Sequence, residues 1–171
     1  MSKGLVHIYT GDGKGKTTAA LGLALRAAGQ GFKVIIIQFL KGDDDCGEHI
    51  FASRYHPFEI VQLTRGNCFI MPEDELREDV EKTMSIALEA INNRDYQMVI
   101  LDEVFVAINR GLLEIDRVIE LIVNKPDSLE LVLTGRGAIQ EIREMADYVT
   151  EMQMIKHPYT KGTRARKGIE H

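Results

Sequence analysis

The stretch Thr10-Gly11-Asp12-Gly13-Lys14-Gly15-Lys16-Thr17-Thr18 constrains this chain more than any other. It follows a short apolar run, 5–9 (LVHIY), and opens an Ala- and Leu-rich segment, 17–28, that ends near Gly29 and Gly31. A strand that passes through a glycine-rich turn into a helix is the context of a phosphate-binding loop. Glycines let the backbone curl so that successive N–H groups face phosphate oxygens, and the helix start adds a partial positive charge. Gly11, Asp12, Gly13, Lys14, Gly15, Lys16, Thr17 and Thr18 would form the cradle, with Lys16 reaching two phosphates and the Thr17 hydroxyl binding Mg²⁺. The usual pattern, GxxxxGK[ST], begins with glycine, where this chain has Thr10.

The rest of the chain repeats strand and helix. Segment 33–39 (KVIIIQF) has β-branched residues without alternation, as in a parallel strand covered on both faces. Segment 58–63 is a weaker strand. Pro72 then precedes Glu73-Asp74-Glu75, an acidic first turn that suits a helix start. Leu76, Val80, Met84, Leu88 and Ile91 follow on one helical face and read as core. Segment 97–101 (QMVIL) predicts a strand, 116–124 a helix stopping before Pro126, 129–134 a strand, 138–146 a helix and 148–155 a last strand.

Six strands alternating with helices predict an α/β fold. We expect one domain over 1–171, a parallel sheet with helices on both faces, of the P-loop NTPase (RecA-like) type. Ligands in such sheets bind beyond the strand C-termini. The polar stretch 41–57 reads as a loop, and 156–171 is a tail with five Lys or Arg against one Glu.

Composition narrows the function. At 171 residues and 44% hydrophobic, the chain is too apolar for disorder and has too few cysteines for a disulfide scaffold. A net charge of −5 argues against a nucleic-acid partner, since phosphate backbones are held by excess Lys and Arg. No apolar run approaches the roughly 20 residues a bilayer requires. The N-terminal residues lead straight into a strand, and Cys46 and Cys68 show no CxxC spacing; both fit a cytoplasmic protein with two thiols.

Two further groups should face the loop. Asp102 and Glu103 end the QMVIL strand, where this fold class holds Mg²⁺. Arg136, in Leu133-Thr134-Gly135-Arg136-Gly137, follows the fifth strand and could grip two phosphate oxygens with its planar fork. His157 and Tyr159 read equally as a chain-end turn or as a site rim.

Together these motifs resemble the P-loop type of ATP:corrinoid adenosyltransferase. The resemblance runs from Gly11–Ala20, with the departure at Thr10, through Gln38-Phe39-Leu40-Lys41-Gly42, Leu101-Asp102-Glu103, Leu133–Ala138 and Lys156-His157-Pro158 to Lys167-Gly168-Ile169-Glu170. It implies that Co(I) of a reduced corrinoid attacks the 5′ carbon of ATP and that triphosphate leaves. It implies Lys16, Thr17, Glu103 and Arg136 as catalytic residues and Thr17, Asp102 and Glu103 around Mg²⁺. It further implies a homodimer and an electron donor, a reductase or flavoprotein. Many members carry a Trp-containing aromatic segment after the third strand. Here that segment reads Thr64–Met71 with no Trp, leaving Phe69 as the local ring for the corrinoid.

Read without the resemblance, the same loop also serves a RecA-like ATPase, a small-molecule kinase or a non-catalytic ATP-binding module. Their products separate them: phosphate, a phosphorylated acceptor, or nothing.

Overall fold

Strands that read as apolar on both faces must be covered on both faces, and that requirement builds the molecule. In this computed structural model, which describes residues 3–42, 46–64, 66, 68 and 70–170, six strands form one sheet. They are β1 (Val6–Thr10), β2 (Val34–Gln38), β3 (Glu59–Gln62), β4 (Met98–Asp102), β5 (Glu130–Thr134) and β6 (Tyr148–Glu151). Their order is β3-β2-β4-β5-β1-β6, and every pair is parallel. The helices are α1 (Lys16–Gly29), α2 (Gly47–Tyr55), α3 (Glu73–Asn92), α4 (Val104–Asn109), α5 (Ile115–Asn124) and α6 (Gln140–Met145), followed by a 3₁₀ turn at Pro158–Lys161.

Alternate strand residues serve two cores. Val34, Ile36, Ile100 and Val132 pack with Ala20, Ala24 and Ala27 of α1, whose small side chains let that helix lie close to the sheet. Ile35, Ile37, Val99, Leu101, Leu131 and Leu133 face the other way, onto Leu76, Val80, Met84 and Ile91 of α3 and onto Val118 and Leu121 of α5. The expected stripe on α3 is therefore core, with Leu88 only partly buried. Cys46 and Cys68 are buried thiols rather than a disulfide.

The register brings the functional strand ends together. Gln38 lies opposite Asp102, and Tyr9 opposite Thr134, so β1, β2, β4 and β5 deliver their C-terminal residues to one rim of the sheet.

Three boundaries differ from expectation. The 41–57 loop contains α2; residues 43–45 lie outside the described part. Only Ala52 of this helix is buried, so no apolar stripe marks it in the sequence. It is held instead by the Lys41–Glu48 ion pair and by His49, whose Nε2 lies 2.6 Å from Gln38 Oε1. The last strand ends at Glu151 rather than 155, because β1 gives way after Thr10 to the glycine loop and offers no further ladder. Helix α4 was unforeseen: six residues are too few to show a helical period.

Leu101 is fully buried in a strand paired on both sides, whereas Val123 on α5 is 66% exposed. Leu101→Ala should cost about 2–5 kcal/mol through lost transfer energy and a cavity. Val123→Ala should change little; urea unfolding of the two variants checks the contrast.

Candidate active site

The phosphate loop owes its shape to glycine. Gly11 and Gly15 adopt φ of 96° and 119°, and a Cβ at Gly11 would sit 2.4 Å from the Met152 carbonyl oxygen. Ala19 N–H donates to the Gly15 carbonyl at 2.7 Å and closes the first turn of α1. The N–H groups of Lys16, Thr17 and Thr18 therefore precede the helical ladder, as an anion site needs. Lys16 is buried, and its Nζ donates to the Gly11 and Gly13 carbonyls at 2.8 and 2.9 Å. Burial, joined by the charge of Arg136, pulls its pKa below the ordinary lysine value, against Glu103, Asp12 and Asp102. Gly13 N–H donates to the Met152 carbonyl at 2.7 Å, tying the loop to the chain just past β6.

Thr10 has a task that glycine could not perform. Its buried hydroxyl accepts the Ala138 N–H at 3.0 Å, while Gly135 N–H donates to the Tyr9 carbonyl at 3.2 Å. From the other side, Asn109 Nδ2 donates to the Arg136 and Gly137 carbonyls at 2.9 and 3.0 Å. Gly135, at φ 140°, lies against Phe105. The loop that carries Arg136 is thus fixed on three sides. Thr10→Val keeps the shape but strands the Ala138 N–H, and should cost about 1 kcal/mol or more. Thr10→Ser should retain most of it; chemical denaturation of both variants decides.

Asp102 is buried at the tip of β4, and neutral donors occupy both its oxygens. Thr17 and Thr134 hydroxyls donate to Oδ1 at 2.9 and 2.7 Å, and Gln38 Nε2 donates to Oδ2 at 3.1 Å. Glu103 follows in the left-handed region, at φ 61°, with its N–H on Thr134 Oγ1 at 2.9 Å. That turn separates two adjacent carboxylates and directs Glu103 to the loop mouth. Burial first, then the charge of Asp102, pushes the Glu103 carboxyl above the usual carboxylate range, against Lys16 and Arg136. A carboxyl raised by folding destabilises the fold once it ionises, and this cost disappears as pH falls below its unfolded value. Glu103→Gln should therefore raise the Tm near pH 8, by about 2–4 °C for each kcal/mol relieved in a chain of this size. The difference should shrink towards about pH 4, where the wild-type carboxyl is protonated; thermal melts across that range test it.

The groups converge on a polar cup of about 280 Å³ lined by Asp12, Lys16, Thr18, Glu103, Arg136 and His157, among others. It adjoins a larger cleft of about 630 Å³ floored by Leu21, Leu25, Phe51 and Phe58. Thr17, Thr18, Glu103, Ile169 and Glu170 line both.

A family model described as ATP:corrinoid adenosyltransferase BtuR/CobO/CobP matches residues 2–171. The chain is 37% identical to a corrinoid adenosyltransferase of Pseudomonas aeruginosa, over 98% of this chain and 84% of that one. It is 32% identical to one of Escherichia coli K12, over 99% and 86%. The chain belongs to the ATP:corrinoid adenosyltransferase family. Its fold is also that of a KaiC-like protein from Pyrococcus horikoshii OT3, with a TM-score of 0.57 at 16% identity, over 98% of this chain and 76% of that one. The P-loop NTPase (RecA-like) architecture expected from the strand pattern is therefore present.

For an ATP:corrinoid adenosyltransferase, the predicted residues Asp12, Lys16, Thr17, Thr18, Glu103 and Arg136 do come together, with His157 on their rim beside the 3₁₀ turn. Lys14 also lines the cup, and its Nζ is engaged by the C-terminal turn, donating to the Ile169 carbonyl. Phe69 and the side chain of Tyr159 lie outside the described residues. Magnesium is usually held by one or two carboxylates with phosphate and water oxygens rather than by a cage of protein ligands. Among the described residues no group of three His, Cys, Asp or Glu forms such a cage. The hard oxygens of Thr17, Asp102 and Glu103 fit the ion, with Glu103 the carboxylate less committed to protein donors. Among the described residues no helix is long and apolar enough to cross a membrane.

Sequence reasoning quoted Gln38 and Thr134 within motifs without giving either a role, and it missed Asn109. The first two had a legible signal: a polar residue at the C-terminal tip of a buried strand. Asn109 had none, because it acts through a backbone 27 residues away.

Proposed function

We propose that the protein transfers the 5′-deoxyadenosyl group of ATP to the Co(I) of a reduced corrinoid and releases inorganic triphosphate. The observation that carries this is the cup: loop N–H groups, Lys16 and Arg136 gathered round a space that opens into an apolar-floored cleft. A triphosphate suits the first and a nucleoside the second.

In this reading the bond that forms is Co–C5′ and the bond that breaks is C5′–O. Cobalt gives up two electrons, and the C–O pair leaves with the triphosphate. Co(I) is itself a strong nucleophile, so no general base is required and the hard chemistry belongs to the corrinoid. The chain's own task is to align C5′ and to stabilise the departing polyanion. Lys16 and Arg136 place positive charge beside it. Thr17, Asp102 and Glu103 would hold Mg²⁺, which supplies further neutralising charge when bound. Phe69 is assigned to the cobalt face. A homodimer, a reductase or flavoprotein donor and a cytoplasmic setting complete the proposal.

Lys16→Ala should lower kcat by about 10²–10³-fold, the size of one lost oxyanion donor. The assay supplies ATP and chemically reduced corrinoid without oxygen and measures adenosylated corrinoid and triphosphate. Inorganic phosphate in place of triphosphate would point instead to hydrolysis, with Glu103 orienting water. Near-normal turnover in Lys16→Ala would remove the loop from the reaction.

A further inference from the structure

Lys14 sits in the middle of the phosphate loop, and its ammonium is engaged by the C-terminal turn on the same cup. Its Nζ donates to the Ile169 carbonyl at 3.0 Å and lies 3.4 Å from Glu170 Oε1. The turn it meets is locked internally. Arg166 donates to Glu170 through its backbone N–H at 2.8 Å, its Nε at 3.2 Å and its Nη2 at 3.0 Å. Glu170 N–H returns to the Arg166 carbonyl at 3.0 Å, and Gly168, at φ 76°, allows the reversal. The arginine's hydrogen bonds hold the Glu170 carboxyl down at about 2, so it stays an anion throughout the neutral range.

Ile169 and Glu170 line both the polar cup and the apolar cleft. The tail is also the basic part of an acidic chain. Residues 156–171 carry five cations and one anion, +4, which leaves −9 on the remaining residues of a −5 total. The body's field therefore draws the tail inward, and Lys14 with Glu170 sets where it lands.

We infer that the turn at 166–170 is a wall of the nucleotide site, docked there by Lys14, and that Lys14 is a positioning residue for that wall rather than a phosphate ligand. The inference rests on the nucleotide reading above for what the wall encloses, though not for the docking itself. A ligand that touches both loop and tail favours the docked turn, and by linkage the docked turn strengthens that ligand's binding by the same factor. Lys14 is 47% exposed, so the pair adds little to global stability. Its effect belongs in tail accessibility and nucleotide affinity, with the Tm unmoved.

The test compares wild type, Lys14→Met, Lys14→Arg and Glu170→Gln in two measurements. The first is tryptic release of the tail at Arg164, Arg166 and Lys167 without nucleotide, followed by mass. Lys14→Met and Glu170→Gln should release it about two- to fivefold faster, the range that an exposed ion pair supports. Lys14→Arg should stay near wild type. The second is calorimetric ATP binding, where Lys14→Met should weaken Kd by a similar factor and ATP should slow tail release in wild type. Equal release from wild type and Lys14→Met overturns the docking. Faster release with an unchanged Kd overturns the wall. Failure of the adenosyl-transfer reading shows separately, as ATP binding without corrinoid product, and leaves both comparisons intact.

Discussion

The site depends on one buried carboxylate. Asp102 takes a hydroxyl from α1, a hydroxyl from β5 and an amide from β2, so three elements that share no sequence neighbourhood meet on its two oxygens. Removing a carboxylate from water costs several kcal/mol, and charge-assisted hydrogen bonds are the strong kind that can offset it. The consequence is geometric. Thr17 cannot move from β4 without taking one of three donors from a buried anion, and Thr17 lies in the first turn of the helix that follows the phosphate loop. Thr134, held by the same oxygen, in turn accepts the Glu103 N–H and fixes the left-handed turn that aims Glu103.

The rest of the cup is secured from the outside. Thr10 and Asn109 grip the Arg136 loop from opposite flanks, and Met152 grips the phosphate loop through Gly13. These contacts use backbone atoms as partners, so they set position without adding charge to the mouth. The mouth holds charge of both signs: Lys16 and Arg136 face Glu103, Asp12 and Asp102, and each sign moderates the other. Charges fixed in place by such contacts meet the condition under which electrostatic stabilisation is largest. Membership of the ATP:corrinoid adenosyltransferase family accords with a site that invests in charge and position rather than in an acid–base pair.

Sequence by itself determined the parallel sheet, because β2 and β4 carry no polar alternation and could only be covered on both faces. It determined the phosphate loop, because glycines, a lysine and a threonine in that order between a strand and a helix have few other uses. It also marked Asp102, Glu103 and Arg136, since each sits one step beyond a buried strand. Tertiary structure alone decided the rest. Helix α2 has no apolar stripe and exists through its side-chain tethers, so periodicity could not reveal it. Thr10 reads as a defect in a motif until Ala138, 128 residues away, supplies its donor. Lys14 reads from its motif alone, and nothing in that motif announces that its ammonium meets the Ile169 carbonyl, 155 residues away. The division has a physical cause. Periodicity and spacing report what a residue does to its own segment, whereas hydrogen bonds between distant segments form only once the sheet order has placed them side by side.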